Sequence, residues 1–168
     1  MKAILAKNGS AAQDADAFIL EEQPIPEPGP EDLLVRVIAI GMNPVDTKVR
    51  IRMDVDRVLG WDVCGIVENT GVNVTGFKAG DKVFYAGDIT RPGCNSEYHL
   101  VDHRLAALAP ETLPPEDTAA MPLTAITASV TAMITVASSA RRAKSIPAPT
   151  VMKKSPSRRP LKGSMSDS

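Results

Sequence analysis

Apolar and polar positions divide the first 108 residues into short strand-like pieces. Residues 2–7 and 18–22 read as two short strands around a polar turn region over 8–16. Pro24, Pro26, Pro28, Pro30 and Gly29 make residues 23–30 an extended surface connection. Residues 33–40 run Leu-Leu-Val-Arg-Val-Ile-Ala-Ile, β-branched and largely apolar on both faces, as a central strand does. Asn43-Pro44 then reads as a helix start, because Asn can cap and Pro is tolerated at the first helical position, with a short helix to about Arg52.

Residues 58–68 form one further strand, in which Gly60 and Gly65 suggest a bulge or a close backbone approach. Gly71, Gly76 and Gly80-Asp81 mark turns, and strands return at 82–85, 97–101 and 105–108. Residues 114–128 turn helical. Many short strands with Gly/Pro turns and few helices predict a mainly β fold with a few short helices, built as a small barrel-like domain.

Charge separates the end of the chain from the rest. Residues 129–168 hold eight Lys or Arg against one acid, Asp167, so residues 1–128 carry −8 within a total of −1. The segment 129–168 has no aromatic residue and much Ser, Pro and Ala. Such a composition buries too little apolar area to offset its ordering entropy, and a disordered basic tail is expected there. The near-neutral total argues against a nucleic-acid binder. No basic, then apolar leader opens the chain, so a cytoplasmic protein is expected. Thr118 to Ala140 is uncharged for 23 residues, but eight are Ser or Thr and Pro122 lies inside, which disfavours a membrane span.

Four stretches in order then carry a resemblance: Asn43-Pro-Val-Asp46-Thr47-Lys48; Leu59-Gly60-Trp61-Asp62-Val63-Cys64-Gly65-Ile66-Val67; Gly71-x-x-Val74-x-x-Phe77-x-x-Gly80-Asp81-x-Val83; and Met121-Pro122-Leu123-Thr124-Ala125-Ile126-Thr127-Ala128. Over residues 1–128 the chain resembles the N-terminal domain of the medium-chain dehydrogenase/reductase superfamily, in its quinone oxidoreductase and zinc-type alcohol dehydrogenase-like branch. The resemblance implies a GroES-like, partly open β-barrel. It also implies hydride transfer from NADPH to a quinone, enone or carbonyl substrate, with the possibility of homo- or hetero-oligomers.

Zinc-dependent members take a Cys where this chain has Asn43 and a His where it has Trp61. An amide and an indole are poor zinc ligands, so no metal is expected. Asp62, where those members place an acid beside zinc, is expected to be structural. The resemblance puts Asn43 and Asp46 at the mouth of the cofactor cleft and Thr127 near the nicotinamide. Simpler roles compete with each of these: Asn43 as a helix cap, Asp46 as a complement to the helix dipole, Thr127 as an ordinary helix residue.

His99 and His103 stand four residues apart, roughly 13 Å in a strand, too far to share a metal. Tyr85 and Tyr98 read as packing residues and Cys64 as a small buried hydrophobe. Cys94, in the Pro92-Gly93 loop, is open to exposure, with no obvious neighbour to lower its pKa.

No Gly-x-Gly and no P-loop occurs in the 168 residues. The family's pyrophosphate-binding Rossmann domain is therefore expected to be missing, and NADPH is not expected to bind this chain alone. Residues 129–168 are expected to derive from a reading-frame shift, a mis-spliced exon or a truncation, the alternative being a natural truncation with a new tail. Two functional classes follow: a zinc-independent reductase that needs a missing half, or a non-catalytic β module that binds a partner such as a full-length relative.

Overall fold

The computed structural model describes residues 1–131 and 133. The elements are β1 Lys2–Ala6, β2 Phe18–Glu22, β3 Asp32–Gly41, α1 Pro44–Arg52, β4 Arg57–Val58, β5 Asp62–Thr70, β6 Lys82–Ala86, β7 Tyr98–Asp102, a 3-10 turn His103–Leu105, β8 Ala106–Leu108 and α2 Pro115–Ala119. Residues 122–131 are also helical. All strand pairs are antiparallel. One sheet has the order β2-β1-β4 and the other the order β7-β3-β5-β6-β8. The fold is mainly β with short helices, and neither sheet closes on itself, so the barrel is an open one.

The larger sheet carries the main core. Leu33 and Val35 of β3, Val63 and Val67 of β5, Val83 and Tyr85 of β6, and Val101 of β7 pack together with Cys94. These strands are rich in β-branched residues, whose stiff side chains suit a pleated, buried surface. A second, smaller cluster joins Ala6, Leu59 and Trp61 to Val45, Val49 and Met53 of the α1 region. β1 is also tied to the chain just before β7: Ile4 N–H donates to Asn95 O at 2.7 Å, and Glu97 N–H donates to Lys2 O at 3.0 Å.

Several expectations need correction. β3 is a central strand, but only its first half is buried on both faces. Further along, Ile38 is 43% exposed, although Ala119 of α2 lies close against Gly41 at the strand's end. The strand expected over 58–68 is broken: β4 ends at Val58 and β5 starts at Asp62. Gly60 between them has φ +90. That left-handed backbone lets the chain leave the small sheet and enter the large one. Gly65 fulfils the close-approach reading, since a Cβ there would lie 2.5 Å from Arg36 O.

The helix expected over 114–128 is two pieces. α2 stops at Ala119. Pro122, which has no N–H and fits a helix only in its first turn, opens the next piece. Cys94 is not exposed: it is fully buried, and burial pushes its thiol far above the usual range. The expected tail lies, beyond residue 131 and apart from Met133, outside the described residues. Among those residues no helix is long and apolar enough to cross a membrane.

Candidate functional site

The ends of β3 and β5, the start of α1 and the helix from residue 122 meet around one carboxylate. Gly41, the last residue of β3, pairs with Asp62, the first of β5. Asp62 is 0% exposed. A buried carboxylate must find donors or lose its charge, and this one finds two. Asn43 Nδ2 donates to Asp62 Oδ2 at 2.8 Å. The Leu123 N–H donates to both carboxylate oxygens, at 3.1 and 3.3 Å. Leu123 is in the first turn of the second helical piece, where backbone N–H groups have no partner within the helix. Burial is the largest influence on Asp62 and raises its pKa, while the Asn43 amide and the Leu123 N–H act in the opposite direction.

Asn43 stands at the N-cap of α1 with extended backbone, φ −132 and ψ 157. Its side chain is turned toward Asp62. Asp46 completes the helix start from the other side, its Oδ2 accepting from the Asn43 N–H at 2.6 Å. A carboxylate in the first turn also suits the positive end of the helix. Thr127 is exposed, and its hydroxyl donates to Leu123 O at 2.7 Å. A chain of hydrogen bonds thus runs from Asp46 to Asn43, Asp62, Leu123 and Thr127. Asn43 and Asp46 are brought together directly, and Thr127 is reached only through Leu123. Sequence reasoning missed Asp62 as the hub. The signal was present: an acid in the first position of a strand whose other early residues are all apolar must be partnered.

Removing the hub has a measurable consequence. Asp62→Ala leaves the Asn43 amide and the Leu123 N–H unpaired, at a combined cost of about 2 kcal/mol. Urea unfolding checks the stability, and hydrogen exchange at Leu123 checks the cause. Unchanged exchange at Leu123 would show that Asp62 does not hold the helix start.

Other candidate ligands are engaged elsewhere. Trp61 is buried at 3% exposure, with the Arg57 guanidinium 5.8 Å from its ring. His99 Nε2 donates to Pro92 O at 3.1 Å, since a carbonyl only accepts, and this leaves Nδ1 to accept from Tyr85 O–H at 3.0 Å. His103 instead meets Glu31 O at 3.0 Å. No cluster of His, Cys, Asp and Glu able to hold a metal occurs among the described residues. The donor set does not fit zinc: the Asn43 amide is spent on Asp62 and the Trp61 indole is packed in the core.

Comparison with known proteins decides the family. The model of the alcohol dehydrogenase GroES-like domain matches residues 29–111. The chain carries an alcohol dehydrogenase GroES-like domain. It belongs over this part to the medium-chain dehydrogenase/reductase superfamily. A zinc-type alcohol dehydrogenase-like protein of Staphylococcus epidermidis is 44% identical over 131 residues, 76% of this chain and 39% of that relative. A Rhizobium etli protein crystallised as a candidate zinc-dependent alcohol dehydrogenase is 46% identical with a TM-score of 0.72, over 76% of this chain and 38% of that one. The Escherichia coli quinone oxidoreductase crystallised with NADPH is 29% identical with a TM-score of 0.67, over 76% of this chain and 39% of that one. The chain therefore spans about two fifths of the length of these proteins, and its GroES-like domain corresponds to their N-terminal part.

Proposed function

We propose that this GroES-like domain forms the substrate-side wall of a cytoplasmic, zinc-independent, NADPH-linked oxidoreductase acting on quinones, enones or carbonyls. The observation that carries the reading is the Asn43–Asp62 hydrogen bond. An amide held by a buried carboxylate stands where the zinc-dependent members place a thiolate. Bound NADPH would supply the hydride. Asn43 and Asp46 sit at the mouth of the cleft and Thr127 beside the nicotinamide. Asp62 keeps Asn43 and the helix bearing Thr127 in fixed relation. None of these residues supplies a cradle for pyrophosphate, so the chain alone provides one wall and needs a second part for turnover.

Two measurements test this together. Calorimetric titration of the 168-residue chain with NADPH is expected to show no micromolar binding; a micromolar constant would overturn the one-wall reading. A chimera carrying residues 1–128 in place of the matched segment of the Escherichia coli quinone oxidoreductase is expected to oxidise NADPH with a quinone and to keep that activity in EDTA. Asn43→Ala in the chimera is expected to lower kcat/KM about tenfold or more. A chimera that binds NADPH but turns over nothing would refute the function, and loss of activity in EDTA would refute zinc independence.

A second reading, a non-catalytic module docking on a partner, draws on one observation. Ile38 and Ile40 of β3, and Met42 just beyond its end, are all exposed.

A further inference from the structure

Helix α1 carries two charged side chains whose hydrogen-bonding atoms are only partly used. Asp46 gives Oδ2 to the Asn43 N–H, while its Oδ1 is buried without a partner among the described residues. Arg50 stands four residues on, a neighbour on the helix surface. Its guanidinium lies 5.0 Å from the Phe18 ring centre, and one terminal nitrogen donates to Ser10 O at 2.9 Å. Its Nε and Nη2 are buried and likewise unpartnered among the described residues. Those two nitrogens form the side edge of the fork, the edge that grips a planar oxygen acceptor.

Both side chains line a single cavity of about 90 Å³, completed in part by Phe18, Met42, Leu59 and Asn95. One water needs roughly 10–15 Å³, so a polar group of several atoms has room. The unmet requirements are one acceptor that wants a donor and two donors that want an acceptor. A carboxylate would satisfy Arg50 but bring like charge to Asp46. An ammonium would satisfy Asp46 but leave Arg50 unmet. An amide presents an N–H and a carbonyl oxygen in one plane, which meets both.

We propose that this cavity is a binding site for an amide group, its N–H donating to Asp46 Oδ1 and its carbonyl accepting from Arg50 Nε and Nη2. The remainder of the ligand rests on Phe18 and Met42, whose apolar surfaces are exposed beside the cavity. The amide is that of a small carboxamide or of a peptide bond. The site goes beyond the oxidoreductase reading and stands whether or not Asn43 faces a cofactor.

The test follows the backbone and Arg50 Nε–H resonances of the 15N-labelled 168-residue chain. Benzamide, N-acetylleucine methylamide and benzoate are titrated in turn. Benzamide or the blocked leucine amide is expected to shift Arg50 and its neighbours with saturation, and benzoate to leave them in place. Tighter binding of benzamide assigns the site to small carboxamides, and tighter binding of the leucine amide assigns it to peptide bonds. Asp46→Asn retains an oxygen for the Asn43 N–H and turns the free acceptor into a donor. The preference is then expected to invert, with benzamide weakened about tenfold or more and benzoate now shifting Arg50. Should that variant not fold, Arg50→Lys, which keeps the charge and removes the side edge, is expected to weaken benzamide by a similar factor. Absence of saturable shifts with either amide, or an unaltered benzamide constant in the folded variant, overturns the proposal.

Discussion

Gly60→Ala is expected to destabilise the protein by about 3 kcal/mol. The left-handed backbone at φ +90 accounts for about 1–2 kcal/mol of strain in a residue with a Cβ. Packing adds to it. A Cβ at Gly60 meets the Asn95 side-chain oxygen and lies 3.1 Å from the buried Cys94 Sγ, and overfilling such a site costs about 1–3 kcal/mol. The Asn95 backbone is fixed, its N–H donating to Leu59 O at 2.9 Å and its carbonyl accepting from Ile4. Only rotation of its short side chain can therefore relieve that contact, and the Cys94 contact stays. Gly76→Ala is the matched control: φ is +82 there, but nothing lies within 4 Å of the added carbon. Urea unfolding of both variants separates strain from packing. Equal losses would mean that the Gly60 neighbourhood accepts a methyl group and that the packing argument is wrong.

Acid is expected to weaken the fold through His99. Burial holds this imidazole neutral, with its pKa lowered from 6.5 to about 4, and the bond to Pro92 O only partly opposes the shift. In the unfolded chain His99 takes a proton as pH falls through about 6.5; in the folded one it does not until about 4. The unfolded state therefore binds more protons between these values, and stability falls as pH falls across that window. The full effect is about 3 kcal/mol. Asp62 works in the opposite sense: its raised pKa means that its contribution is lost as pH rises above the ordinary carboxylate range. The lowered carboxyls Asp32, Asp56, Asp88 and Asp102 lose their contributions only below that range. A comparison with His99→Gln isolates the imidazole. The wild-type chain is expected to lose about 3 kcal/mol more than the variant between pH 7 and 4 in chemical denaturation. Parallel curves would show that His99 is protonated in the folded state.

What was legible in the sequence was local. The Asn43-Pro44 helix start, the proline-rich connection and the strand at 33–40 follow from neighbours one to four positions apart. The four motifs in order gave the domain family. What escaped depends on partners far along the chain. Asp62 becomes a hub because Asn43 and Leu123, 19 and 61 residues away, arrive at it. Cys94 looked open because its loop is polar and turn-rich, yet it fills the core between strands that the loop itself does not reveal. Residues 58–68 read as one strand because their composition is largely apolar. Only the pairing of Val58 with Leu5, and of Asp62 with Gly41 and Ala86, shows that two sheets share the run. Arg50 was overlooked although its spacing from Asp46 in a helix already placed the two charges side by side.

The ties from β1 to Asn95 and Glu97 set an order of events at the ribosome. The first strand emerges early and pairs with β2 almost at once, because only the 8–16 turn separates them. Its other edge has to wait for β4 and then for the stretch before β7. At synthesis rates of about 5–20 residues per second, that edge stays open for seconds, exposing backbone donors and acceptors to neighbouring nascent chains. The start of the chain is thus among the last parts to be locked, and its yield in a cell depends on what meets it during that interval.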